Sequence, residues 1–80
     1  MEITLDLAAR VCRAVHEAYG AVEPHRWPTA DRVQVHGGWH TAGATRAALR
    51  GAVEAGYVST EGRTYYLTMQ GIALLQAVAS

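Results

Sequence analysis

The chain contains no lysine and no phenylalanine, and only one cysteine and two prolines among its 80 residues. Each shortage excludes something. A single cysteine, Cys12, rules out an internal disulfide and suits a reducing compartment. Without phenylalanine, Trp27, Trp39 and the tyrosines must supply the aromatic burial. No apolar run approaches the roughly 20 residues that a membrane-spanning helix needs. No basic stretch followed by an apolar one stands at the start, so the expectation is a cytoplasmic protein without membrane attachment. The formal net charge is zero, which withholds the overall basic excess that usually drives binding to polyanions. A chain of this length predicts one domain over 1–80, burying only roughly 60% of the surface its unfolded form exposes.

The charge that is present is unevenly placed. Arg10 and Arg13 stand against Glu2, Asp6, Glu17 and Glu23 in the first 23 residues. Over 24–66, Arg26, Arg32, Arg46, Arg50 and Arg63 outnumber Asp31, Glu54 and Glu61. Every basic residue is therefore arginine, which suits bidentate contacts to guanine or phosphate. GC-rich coding, in which arginine and alanine codons are common, accounts for most of this bias.

The stretch 39–67 organises the rest. Ala44, Ala48, Leu49, Ala52 and Val53 recur at helical spacing and predict one apolar face. Arg46 and Arg50 lie four apart on another face, with Gly43 one turn earlier. Thr41 fits an N-cap, and Gly56 a C′ glycine. Residues 57–60 and 63–67 then flank Glu61-Gly62, which predicts a two-stranded hairpin with glycine at a positive φ.

Before it, a helix over 4–19 carries Leu5, Ala8, Cys12, Val15 and Tyr19 as a stripe, widened by Leu7 and Val11. Gly20 stops it, and residues 21–26 connect. Trp27 before Pro28 favours an extended backbone, hence a short strand beside the hairpin. Thr29 is placed to cap a helix over 30–36, with Asp31 in its first turn and Val33 as its core residue. Gly37 and Gly38 end it. Two helices joined by a short glycine-containing turn make a helix-turn-helix unit. Trp39 in that turn reads either as packed between the two helices or as an exposed contact residue. Thr68 is placed to cap a last helix over 69–80 with no charged side chain. Ile72, Leu75 and Ala79 form one apolar stripe, Leu74 and Val78 a second. A second copy of the chain would cover both, giving a homodimer through Ile72, Leu74, Leu75 and Val78; packing of the first helix on the last is the other reading.

In the second half, Leu49, Ala52 and Gly56-Tyr57-Val58, followed by Tyr66-Leu67-Thr68 and Gly71, resemble the "L…GYV" and "YxLT..G" pattern of MarR-like and PadR-like winged helix-turn-helix regulators. Pro28-Thr29-Ala30 resembles the start of that family's second helix. The resemblance spans about residues 27–75. It implies a mainly α fold with a small β-hairpin, in which the helix over 41–55 reads the major groove of duplex DNA and the wing over 57–67 flanks it. The alanine-rich reading helix and Ala52 depart from the family pattern. Mapped onto this chain, the DNA-contacting residues are Arg32, His40, Thr41, Gly43, Thr45, Arg46, Ala47, Arg50 and Arg63. Arg46 is the expected base reader and Arg32 a backbone contact. The rival expectation is a protein-interaction module on the same fold, because fold does not fix function.

Other chemistry has little to stand on. Cys12 and His16 are four apart, as are His36 and His40, but Cys12 sits on the apolar stripe and two glycines separate the histidines; no metal or cofactor is expected. Neither a phosphate-binding glycine loop nor a nucleophile elbow occurs, so no enzyme is expected.

Overall fold

The structure is a computed structural model that describes residues 3–21 and 23–79. Val22 of the expected connector and Ser80 of the expected last helix lie outside the described residues. The element order is α1 (Leu5–Gly20), α2 (Ala30–Gly37), α3 (Ala42–Ala55), β1 (Val58–Glu61), β2 (Thr64–Leu67) and α4 (Met69–Ala79). The described residues are thus mainly helical, with four helices and one small antiparallel hairpin. Among the described residues, no helix is long and apolar enough to cross a membrane.

Helix α1 starts where Thr4 Oγ1 accepts a hydrogen bond from the Leu7 amide at 3.2 Å, satisfying one of the unpaired N–H groups of the first turn. Its buried side is broader than the expected stripe and rotated from it. Ala8, Val11, Cys12 and Val15 are buried as expected, but so are Ala9, Ala14 and Ala18, whereas Leu5 is 65% exposed. The physical reason is that α1 packs against α2, α3, α4 and β2, so several neighbours share its surface, while Leu5 in the first turn projects beyond them.

Thr29 occupies the N-cap position of α2 with an extended backbone, yet its hydroxyl makes no capping bond. The expected cap is corrected accordingly. The backbone of this stretch pairs with the hairpin instead: Thr29 forms an antiparallel bridge with Thr64, and the Tyr65 amide donates to the Pro28 carbonyl at 2.8 Å. The expected strand near Trp27 is reduced to this single bridge. At the other end of α2, Gly38 is left-handed at φ 73° and its amide returns to the Gln34 carbonyl, a geometry glycine adopts without steric cost.

Trp39 is half-buried against the core. The Arg10 guanidinium lies 4.4 Å from the centroid of its ring, and Arg10 Nε donates to the Gly37 carbonyl at 2.9 Å. A side chain at Gly37 would occupy the space of the Trp39 ring. The tryptophan is therefore held by α1 as well as by the helices on either side of its turn.

Helix α3 begins and ends where its caps predict. Thr41 Oγ1 accepts from the Ala44 amide at 3.1 Å. Gly56 at φ 88° reverses the chain, its amide bonding Val53 O and the Tyr57 amide bonding Ala52 O, the paired arrangement of a Schellman motif. The buried face is Thr45, Ala48, Leu49 and Ala52; Val53 is half-buried and Ala44 is exposed. In the hairpin, Val58 pairs with Leu67 and Glu61 with Thr64, so the two-residue loop is Gly62–Arg63, one position later than expected. Gly62 has φ 61°, and among the described residues no non-glycine residue has positive φ. That combination fits a type II′ turn, in which glycine takes the first central position.

Thr68 joins α3 to α4. Its hydroxyl donates to the Gly56 carbonyl and accepts from the Gly71 amide, while Gln70 Nε2 donates to the Ala55 carbonyl at 3.1 Å. Along α4 the two expected stripes divide differently. Leu74 and Leu75 are half-buried against the chain's own core, and Ile72 and Val78 are 44% and 49% exposed. Helix α1 covers one side of α4, as the second sequence reading has it, and an uncharged side remains open.

Candidate nucleic-acid interface

Helix α3 positions its arginines by simple angular arithmetic. Leu49, Ala48 and Ala52 turn into the core. Arg46 and Arg50, one turn apart, are consequently left on the outer side, and both are exposed. With Val53, Glu54, Thr60 and Tyr65 they line a groove of about 490 Å³ between α3 and the hairpin. Thr60 and Tyr65 are cross-strand partners, so the pleat puts both on the face toward α3.

Neither arginine has an ion pair among the described residues. Among the described residues the one ion pair is His25 Nε2 with Glu23 Oε1, at 3.7 Å. Glu54 is the nearest acid in sequence to Arg50 and shares its groove without reaching pairing distance. At the start of α3, His40, Thr41 and Gly43 are exposed, and a Cβ at Gly43 would meet nothing within 4 Å. The backbone there is open to close approach by a large partner. Ala47 is exposed, and Arg63 stands exposed in the hairpin loop.

Two of the expected contact residues fall elsewhere. Thr45 is only 1% exposed, and its hydroxyl donates to the Thr41 carbonyl at 2.9 Å. It is a core residue and reaches no phosphate; the expectation is corrected because a threonine that satisfies itself within its helix packs as an apolar residue does. Arg32 is exposed, but it lines a different cleft, with Arg26, Trp27 and Thr29. In the opposite direction, Thr60, Tyr65 and Val53 belong to the groove and were not singled out by sequence. The register Thr60–Tyr65 is the signal that reveals the first two, and it depends on placing the turn at Gly62–Arg63.

The other side of α3 carries a second concavity, of about 660 Å³ and mostly apolar, where Ile3, Leu7 and Trp39 face Ala44, Ala47 and Gly51. Arg50 stands on the ridge between the two.

No group of three or more metal-ligating side chains converges among the described residues. Cys12 is buried and His16 is exposed, so that pair does not point to a common site. Burial pushes the Cys12 thiol up to about 11, leaving roughly one thiolate in a thousand at pH 8. Alkylation of the folded protein by iodoacetamide at pH 8 is therefore expected to be far slower than of the urea-unfolded chain, read by mass spectrometry; equal rates would mean that the thiol is accessible. Above pH 9 the unfolded chain loses this proton first, so the thiol lowers stability as pH rises from about 9 toward 11.

Set against protein-family models, curated proteins and solved structures, the chain finds no match in any of the three.

Proposed function

We propose that this chain is a winged helix-turn-helix protein that binds duplex DNA and regulates transcription in the cytoplasm. In this reading α2 and α3 form the helix-turn-helix, α3 enters the major groove with its N-terminal half leading, and the hairpin is the wing. The observation that carries the proposal is the pair of exposed arginines, Arg46 and Arg50, without an ion pair among the described residues on the outer side of a helix whose inner side is locked into the core. Arg46 reads a base edge, Arg50 a base or phosphate, and Arg63 reaches the backbone or minor groove beside the wing. His40, Thr41, Gly43 and Ala47 supply the close approach at the leading end. The open, uncharged side of α4, with Ile72 and Val78, pairs two copies, and a twofold dimer places two reading helices about 34 Å apart on a palindromic site.

The test is selection of duplexes from a random pool by the purified full chain, followed by affinity measurements on the selected site. Arg46→Ala is expected to cost about 1–3 kcal/mol of specific binding. Unchanged affinity for the best site would remove Arg46 as the reader.

A second reading has an observation of its own. The apolar concavity formed by Ile3, Leu7, Trp39, Ala44 and Ala47, on a chain of zero net charge, also suits a winged helix that binds another protein. Salt separates the two: contacts to several phosphates weaken steeply between roughly 50 and 200 mM salt, whereas an apolar protein contact does not.

A further inference from the structure

The connector between α1 and α2 holds both prolines of the chain, Pro24 and Pro28, and one of its two tryptophans, Trp27. Proline fixes φ, which restrains the backbone at positions 24 and 28. Together with Ala18 of α1 and with Thr29 and Arg32 at the start of α2, it lines an open cleft of about 410 Å³, within the usual range for small-ligand sites. Trp27 forms one wall and remains 37% exposed. Its indole is held by other rings: Tyr19 at a centroid distance of 4.2 Å and Tyr66 at 6.2 Å, with His25 stacked on Tyr19 at 5.4 Å. Such a cluster of tilted rings restrains the indole, and a restrained indole is a stacking surface for a planar ring.

The charge beside it is cationic. Arg26 and Arg32 both line the cleft, both are exposed, and neither has an ion-pair partner among the described residues. Glu23 is the one acid in the lining, and its carboxylate lies 3.7 Å from His25 Nε2. The Thr29 hydroxyl, at a cap position where it caps nothing, is left to donate. This cleft is separate from the arginine groove of α3. Tyr65 belongs to that groove, and the next residue, Tyr66, points to the opposite side of β2 and meets Trp27.

We propose that this cleft binds a single unpaired nucleotide, its base against Trp27 and its phosphate between Arg26 and Arg32. An acidic peptide without an aromatic side chain would use the two arginines and leave the indole idle. A duplex presents phosphates, but its base faces are stacked within the helix. Only a ligand with both an accessible planar ring and a phosphate uses both parts of the cleft. The site does not depend on duplex binding by α3.

The experiment is a nitrogen-15 NMR titration of the full chain with adenosine monophosphate, adenosine, inorganic phosphate and a short single-stranded oligoadenylate. The expected result is a saturable shift of the Trp27 indole N–H and of amides over 26–32, with a Kd for the monophosphate on the order of 1 mM. Adenosine and phosphate alone bind about tenfold more weakly. Arg26→Gln and Arg32→Gln each weaken the monophosphate about two- to fivefold, and Glu23→Gln strengthens it by a similar factor. Binding of the oligoadenylate more than about tenfold tighter than the monophosphate identifies a single strand as the source of the nucleotide; near-equal affinities identify the free nucleotide. All three substituted residues are exposed, so the fold persists, and Arg46→Ala leaves this binding unchanged whatever it does to duplex affinity. No saturable shift at Trp27 up to about 10 mM, equal response to phosphate alone, or shifts centred on Arg46 and Arg50 would each overturn the proposal.

Discussion

Replacing Gly71 by alanine is expected to destabilise the protein by about 2 kcal/mol or more. Helix propensity alone predicts the reverse sign, because glycine is roughly 1 kcal/mol worse than alanine inside a helix. Packing decides the outcome. Gly71 is buried in the first turn of α4, and a Cβ there would overlap the Tyr57 carbonyl oxygen and press on a Leu67 methyl at 3.3 Å. A side chain can swing aside, but this carbonyl cannot easily do so. It accepts from the Thr68 amide at 3.2 Å, while the Tyr57 amide closes α3 on Ala52. The Thr68 hydroxyl ties the same junction to Gly56. Any shift that makes room for the methyl group must therefore strain the end of α3, the start of the hairpin and the cap of α4 together. Gly43→Ala is the control, since a Cβ there meets nothing within 4 Å; it is expected to be neutral or to add up to about 1 kcal/mol. Urea unfolding of both variants measures the contrast, and a Gly71→Ala protein as stable as the parent would show that the junction relaxes freely.

How much of this was legible in the sequence follows from which forces are local. The bounds of α3 were legible because Thr41 and Gly56 act on their own neighbours, through a hydroxyl accepting the Ala44 amide and a left-handed φ. The exposed positions of Arg46 and Arg50 follow from helical angle once Leu49 is assigned to the core. The buried side of α1 was not legible in the same way. Three-and-four spacing finds a stripe, but it does not count neighbours, and a helix touched by four other elements buries alanines on both flanks of that stripe.

The candidate site was half legible for the same reason. Thr45 carries a hydroxyl, so its type suggests surface, yet one backbone carbonyl within its own helix satisfies that hydroxyl and lets it pack. Arg32 shares a sign with Arg46 and Arg50 but faces another cleft, because sequence gives charge and not which side of α2 that charge takes. In the hairpin, a turn placed one residue early changes every cross-strand partner. Only the register with Thr60 opposite Tyr65 brings those two side chains to the arginine groove.

Leu49→Ala is expected to cost about 2–5 kcal/mol. Leu49 is the largest of the fully buried side chains, and it is 0% exposed. It belongs to one core cluster with Val11, Val15, Val33 and Val58, contributed by α1, α2 and β1. Apart from Leu49 that cluster is mostly valine and alanine, side chains too short or too stiff to move into the space that the lost side chain leaves, so the cavity term stays near its full size. For an 80-residue chain the whole stability is roughly 4–12 kcal/mol, and the loss removes a large part of it. A fall in Tm of at least about 10 °C is expected for a chain of this length. Leu5→Ala supplies the internal comparison. Both leucines lie on helices, and the sequence places both on apolar faces, but Leu5 is 65% exposed, so its truncation is expected to stay within about 0.5 kcal/mol. Calorimetry on the two variants separates the possibilities. Equal losses would mean that the first turn of α1 is covered, and a small loss at Leu49 would mean that α3 is not anchored by its inner face. The same anchoring gives Arg46 and Arg50 a fixed direction, so under the proposed function Leu49→Ala is expected, at temperatures where it remains folded, to bind duplex DNA more weakly as α3 loosens, whereas Leu5→Ala is expected to match the parent.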